Sequence, residues 1–195
     1  VHHTAQNVTG DERPALERVR ALYAYHTNSR NWGDIGYHYL IDERGQIYEG
    51  RTGGRGVIGG HAYCWNTGTV SIAMLGDFDI EQPPQGQMQS LQWLLADLAR
   101  EYELDLGKSV RMHGKNFPVI VGHKDLLSTD CPGYYVREIL TQVRENVWKG
   151  NLLATIRFPR PLLSHRTAPS PQTSLSALVP RTSDPLLTPI GITQL

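Results

Sequence analysis

The run TVSIAMLGDF, residues 69–78, is apolar at most positions and without a break from Ile72 to Leu75. A strand with one wet face alternates apolar and polar residues. A near-continuous run belongs to a strand covered on both faces. Such a strand needs helices above and below its sheet, and the chain supplies them. TGDERPALERVRALYAYH predicts a helix over about residues 11–27: Thr9 and Glu12 have capping-box spacing and Pro14 suits a first turn. Leu16, Val19, Leu22, Tyr23 and His26 recur on one face of it. MQSLQWLLADLAREY predicts a second helix through Leu91, Leu94, Leu95 and Leu98. YYVREILTQVRENVW predicts a third, with Val136, Ile139, Leu140 and Val143 inward. YHYLIDERGQIYEGR reads as a hairpin turning at Gly45, where positive φ is expected, and PVIVGH reads as a strand ending at His123. The expected fold is therefore α/β, a single domain with a central mixed β-sheet flanked by helices.

Bulk composition narrows the function classes. Lys+Arg 19 balances Asp+Glu 19, so no basic field draws the chain to nucleic acid or an anionic membrane. No apolar run reaches the length of a membrane span. Composition changes near residue 150. Seven of the 12 prolines fall in 151–195, with four arginines and the single acid Asp184. We expect a domain over 1–150 and a Pro/Ser/Thr-rich linker or disordered tail over 151–195. The opening VHHTA reads as a strand already under way, so an N-terminally truncated domain is expected.

Chemistry concentrates in VGHKDLLSTDCPG, residues 121–133. Cys131 has only Cys64 as a disulfide partner. An imidazole and a thiolate suit zinc, and a catalytic zinc needs three protein ligands with a fourth position open. His123 and Cys131 supply two. The third could come from His2, His3, His26, His38, His61 or His113 on the residues alone. Side chains alternate along a strand, so only one of His2 and His3 can face a given pocket.

Four segments in register, VHHTA, NWGDIGYHYLIDERGQIYEGR, GGHAYCWNTGTVSIAMLGDF and VGHKDLLSTDCPG, resemble the type 2 N-acetylmuramoyl-L-alanine amidases, a family that includes the peptidoglycan recognition proteins. The likeness covers residues 1 to about 148. It implies that His2, His123 and Cys131 bind Zn²⁺, with His3 facing the other way. Tyr37 matches the family's catalytic tyrosine. Thr129 falls where some members carry lysine and others threonine, and is expected to hydrogen-bond the water or oxyanion. His61 and Asn66 fall in the loop that lines the family's substrate groove. Arg51 is expected either to hold a stem-peptide carboxylate or to pair with a local acid. His38, on the face opposite Tyr37, is expected to pack or to support. The implied activity is zinc-dependent hydrolysis of the amide bond between N-acetylmuramic acid and L-alanine of the stem peptide. The alternative is a recognition module that binds peptidoglycan without cutting it. Peptidoglycan or muropeptides are the expected partners of what should be a monomer, secreted or held in the cell envelope.

Overall fold

The computed structural model describes residues 1–152, with side chains described through residue 150. The expected tail lies outside the described residues. Four short strands form one mixed sheet in the order β1 (His2–His3), β4 (Ile72–Met74), β2 (Tyr39–Ile41), β3 (Ile47–Glu49). β4 runs parallel to both neighbours, and β2 turns back antiparallel into β3. The apolar run 69–78 thus holds a central strand, with Ile72, Ala73 and Met74 all buried. Gly45 has φ 85° at the β2–β3 turn, as expected.

The two-residue period of a strand sorts the core into two layers. Leu40 and Ala73 pack with Val19, Leu22 and Tyr23 of helix α1 (Ala15–Ala24) on one face. Ile41, Ile72 and Met74 pack with Leu91, Leu94 and Leu98 of α2 (Gln85–Glu101) and Val136 of α4 (Tyr134–Leu152) on the other. Val136, Leu140, Val143 and Val147 make the buried stripe of α4. Gln87 is fully buried, and its side-chain amide donates to the carbonyls of Ile41 (2.9 Å) and Leu75 (3.0 Å). That pair of bonds pins α2 to the ends of β2 and β4.

Two expectations need correction. The first helix begins at Ala15, after Pro14 with ψ 143°, and no side chain caps it. Arg13 precedes a proline, which disfavours helical backbone there. Arg13 instead makes a bidentate pair with Asp11 at 2.9 and 2.6 Å, while the Thr9 hydroxyl donates to Glu81 at 3.0 Å. At its far end the helix widens into a π turn, Tyr25–Ser29.

The second correction concerns PVIVGH. Its opening belongs to β6 (Lys115–Pro118), which pairs with β5 (Ser109–Met112) in a separate hairpin that the sequence reading missed. His113 and Gly114 turn that hairpin with φ 47° and 78°, the positive values a tight hairpin turn demands. Val119 to Gly122 form no ladder strand. They still flank β1: the Val1 nitrogen donates to the Val121 carbonyl (2.6 Å), and the His123 amide donates to the Val1 carbonyl (3.1 Å). Pro118 has no N–H to extend a ladder, and β1 is only two residues long.

Candidate functional site

β1 brings the chain's first residues to the centre of the site. His2 is in register with Ala73, on the α1 side of the sheet, and His3 with Met74, on the α2 side. Alternation therefore settles which histidine joins the cluster. The His2 ring lies 4.6 Å from the His123 ring, 5.3 Å from Tyr37 and 5.0 Å from His61, centroid to centroid. His3 turns to Phe78, whose amide donates to its Nδ1 at 3.3 Å.

His123 opens the one-turn helix α3 (His123–Leu126). The turn is locked from below. Asp125 accepts from the Gly122 amide at 2.9 Å and from Arg144 of α4 at 3.0 Å, while Arg144 also donates to the Ile120 carbonyl at 2.7 Å. The Lys124 amide donates to the Cys131 carbonyl (2.9 Å), which folds the 124–131 loop back on itself. Cys131 arrives buried beside β1, with its Sγ 3.4 Å from the His3 amide and 3.6 Å from His2 Nδ1.

His2, His123 and Cys131 each place a ligand atom within 4.8 Å of the others. His123 Nε2 is buried and has no protein partner. An orphaned imidazole nitrogen facing a nitrogen and a sulfur fits a cation that accepts three donors. Burial explains why the set is poised for one. Desolvation pushes the Cys131 thiol up to about 12 and holds His2 well below its ordinary value. Burial thus favours the neutral forms of these groups, and a divalent ion would invert the preference at sulfur and favour thiolate.

Tyr37 is buried beside these donors, and burial followed by the neighbouring Cys131 raises its pKa. Its hydroxyl stays protonated across the working range and can only donate toward a developing anion. His61 sits edge-on to His2 in the loop after β3, with a buried Nδ1 that has no protein partner. Its ring is neutral, held down to about 3 by desolvation and by the adjacent His38. Asn66 uses its side-chain oxygen inside the same loop, accepting from the amides of His61 (2.9 Å) and Ala62 (2.8 Å).

Among the described residues Arg51 pairs with no local acid. Its guanidinium donates to the carbonyls of Ile35 (2.8 Å), Ile58 (2.9 Å) and Asp34 (3.3 Å), fastening the loop that carries His61 to the one that carries Tyr37. Thr129 Oγ1 accepts from the Cys131 amide at 3.3 Å, so it shapes the ligand loop directly. His38 is buried and held at both nitrogens: Nδ1 accepts from the Ser71 amide (3.1 Å) and Nε2 donates to the Val57 carbonyl (3.1 Å). The residues that sequence reasoning missed are Asp125 and Arg144. An acid three residues after a helix-opening Gly was the available signal.

These features define a class: an α/β domain carrying a closed His–His–Cys donor set beside a buried tyrosine. Comparison with known proteins gives the family. The family profile described as N-acetylmuramoyl-L-alanine amidase (Amidase_2) matches residues 1–134, and the chain belongs to this family. Peptidoglycan-recognition protein SC2 of Drosophila simulans is 32% identical over 133 residues, covering 68% of this chain and 66% of that protein. The match thus spans just under two thirds of that relative's length. Among solved structures, the N-acetylmuramoyl-L-alanine amidase LysC from Clostridium intestinale aligns with TM-score 0.56 and 29% identity, over 73% of this chain and 80% of that one. Drosophila PGRP-LB, as a Y78F mutant in complex with tracheal cytotoxin, aligns with TM-score 0.58 and 29% identity, over 71% and 76%. The family contains both amidases and recognition proteins.

Proposed function

We propose that the domain is a zinc-dependent N-acetylmuramoyl-L-alanine amidase, hydrolysing the amide bond between N-acetylmuramic acid and the L-alanine of a peptidoglycan stem peptide. The observation that carries this reading is the meeting of His2, His123 and Cys131, from segments remote in sequence, within 4.8 Å of one another and next to Tyr37. Two neutral imidazoles and a thiolate would hold Zn²⁺ with a net charge of +1. Zinc held there would supply a water of lowered pKa as nucleophile and a Lewis acid for the amide carbonyl.

The chain's own groups do the remainder. Tyr37 donates a hydrogen bond to the oxygen that gains charge as the amide carbon becomes tetrahedral. Thr129 has no proton that titrates near neutrality; it contributes by setting the Cys131 loop and by offering a hydroxyl to the water or oxyanion. His61 and Asn66 place their loop along the substrate's path, with the His61 ring edge-on to His2. Arg51 keeps that loop in place through its three carbonyl bonds. The substrate places the work in the cell envelope or outside the cell. Among the described residues, no helix is long and apolar enough to cross a membrane.

Digestion of defined muropeptides by the zinc-loaded protein, followed by mass spectrometry, tests the reading. Free stem peptide should appear, and chelator should abolish it. Retained muropeptide binding with no release of peptide would establish the recognition-module alternative instead. The presence of both Cys131 and Tyr37 favours the enzyme.

A further inference from the structure

We propose that His26 is a positioning residue: it holds the Gly36 peptide and thereby sets where the Tyr37 hydroxyl stands beside the His2–His123–Cys131 donors. The proposal rests on the amidase reading for its catalytic consequence, and on geometry for its structural one.

His26 is 4% exposed and lies in the π turn that ends α1, where the Arg30 amide reaches back to the Tyr25 carbonyl at 3.1 Å. A π turn is less favourable than the α-helix it interrupts, and such turns recur at functional sites because they redirect a side chain. Here the redirected ring meets the segment that leads into β2. His26 Nδ1 accepts the Gly36 amide proton at 3.1 Å, so the proton of the neutral ring sits on Nε2. The residue is tied at its backbone too, since its carbonyl accepts from the Trp32 amide at 3.0 Å. Its ring stacks on Trp32 (4.7 Å, 27°) and leans on Tyr37 at 5.7 Å.

Gly36 transmits this order. Its carbonyl accepts from the Gly60 amide at 2.9 Å, and a Cβ at Gly36 would overlap the Gly60 carbonyl oxygen. The Tyr37 carbonyl accepts from the Arg51 amide at 2.8 Å. The peptides on both sides of the Tyr37 α-carbon are therefore fixed. His26 holds the peptide one step earlier, Ile35–Gly36: its ring nitrogen accepts the Gly36 N–H, the acceptor that amide has among the described residues. Without it a buried N–H is left unpaired and the tyrosine loses one wall of its ring slot. A histidine that merely filled the core would contribute volume alone. This one contributes an acceptor at a defined atom.

The test compares His26→Asn, whose Oδ1 can occupy the place of Nδ1, with His26→Gln and His26→Leu, which cannot put an acceptor there. Each is made alone and with Tyr37→Phe. We expect Gln and Leu to lower kcat on muropeptide about 10- to 10²-fold, with KM and bound zinc unchanged and Asn recovering most of the rate. On the Tyr37→Phe background the same changes should add less than about twofold, since they act through the missing hydroxyl. Hydrogen exchange at the Gly36 amide should be slow in the wild type and Asn variant and about 10-fold or more faster in Gln and Leu. An additive loss on the Tyr37→Phe background overturns the proposal. So does a loss shared with KM or zinc content, or a Gly36 exchange rate that ignores the substitution. The exchange measurement needs no turnover. A wild type that cuts no muropeptide thus overturns the amidase reading separately, and Gly36 protection still judges the role of His26.

Discussion

At the scale of single residues, the site depends on atoms that burial alone would penalise. Cys131 is 4% exposed, and desolvation disfavours its thiolate. Its place is explained by the two imidazoles beside it. Replacing Cys131 with serine should abolish stoichiometric zinc binding, because a hydroxyl is far harder to ionise than a thiol and is a poorer ligand for zinc. Metal analysis after gel filtration checks this, and full zinc occupancy in the variant would remove Cys131 from the ligand set. Tyr37→Phe makes the opposite split. It should keep zinc and lose about 10²–10³ in kcat, the usual effect of one oxyanion donor. Near-normal turnover would show that the hydroxyl does no chemistry. These two residues were legible in the sequence because their neighbours form recognisable strings. His26 was not: a histidine on the apolar face of a helix looks like core filling until the π turn brings it to Gly36.

At the scale of elements, short pieces are made rigid by cross-links rather than by length. β1 has two residues and α3 has four, too few to be stable alone. α3 keeps its place because Asp125 bridges the Gly122 amide and Arg144. Asp125→Ala should therefore lower zinc affinity by about 10-fold through a misplaced His123, as losses in the support of metal ligands commonly do. Competition with a chelator of known affinity measures it; an unchanged dissociation constant would mean α3 holds its shape without the acid. The helix and central-strand assignments followed from periodicity. The β5–β6 hairpin did not, because its residues are mostly exposed and carry no alternating pattern. The start of α1 was misplaced because a capping-box string and a pre-proline residue compete, and the backbone restriction before Pro14 prevailed.

At the scale of the molecule, neutral histidines give stability a direction in pH. Desolvation, then Arg30 and Arg51, hold His26 down to about 4, and burial also lowers His38. Both are then neutral when folded at a pH where the unfolded chain has begun to bind protons. A folded pKa below the unfolded one contributes stability that is full above about 6.5 and lost as pH falls through the folded value. The metal-free protein should therefore unfold at progressively lower urea as pH drops from about 7 to about 4. A midpoint that stays flat across that window would show these rings charge as freely folded as unfolded.

Local sequence determined a good deal here. A near-continuous apolar run demanded a strand covered on both faces, helical periods named the covering faces, and alternation along a strand required His2 and His3 to part. Motif strings identified the family. Distances between remote segments lay beyond any local pattern. That His2 meets Cys131, that Arg51 grips three carbonyls, and that a widened turn delivers His26 to Gly36 were decided by packing. Each of those contacts joins residues whose approach costs chain entropy that only the assembled core can offset.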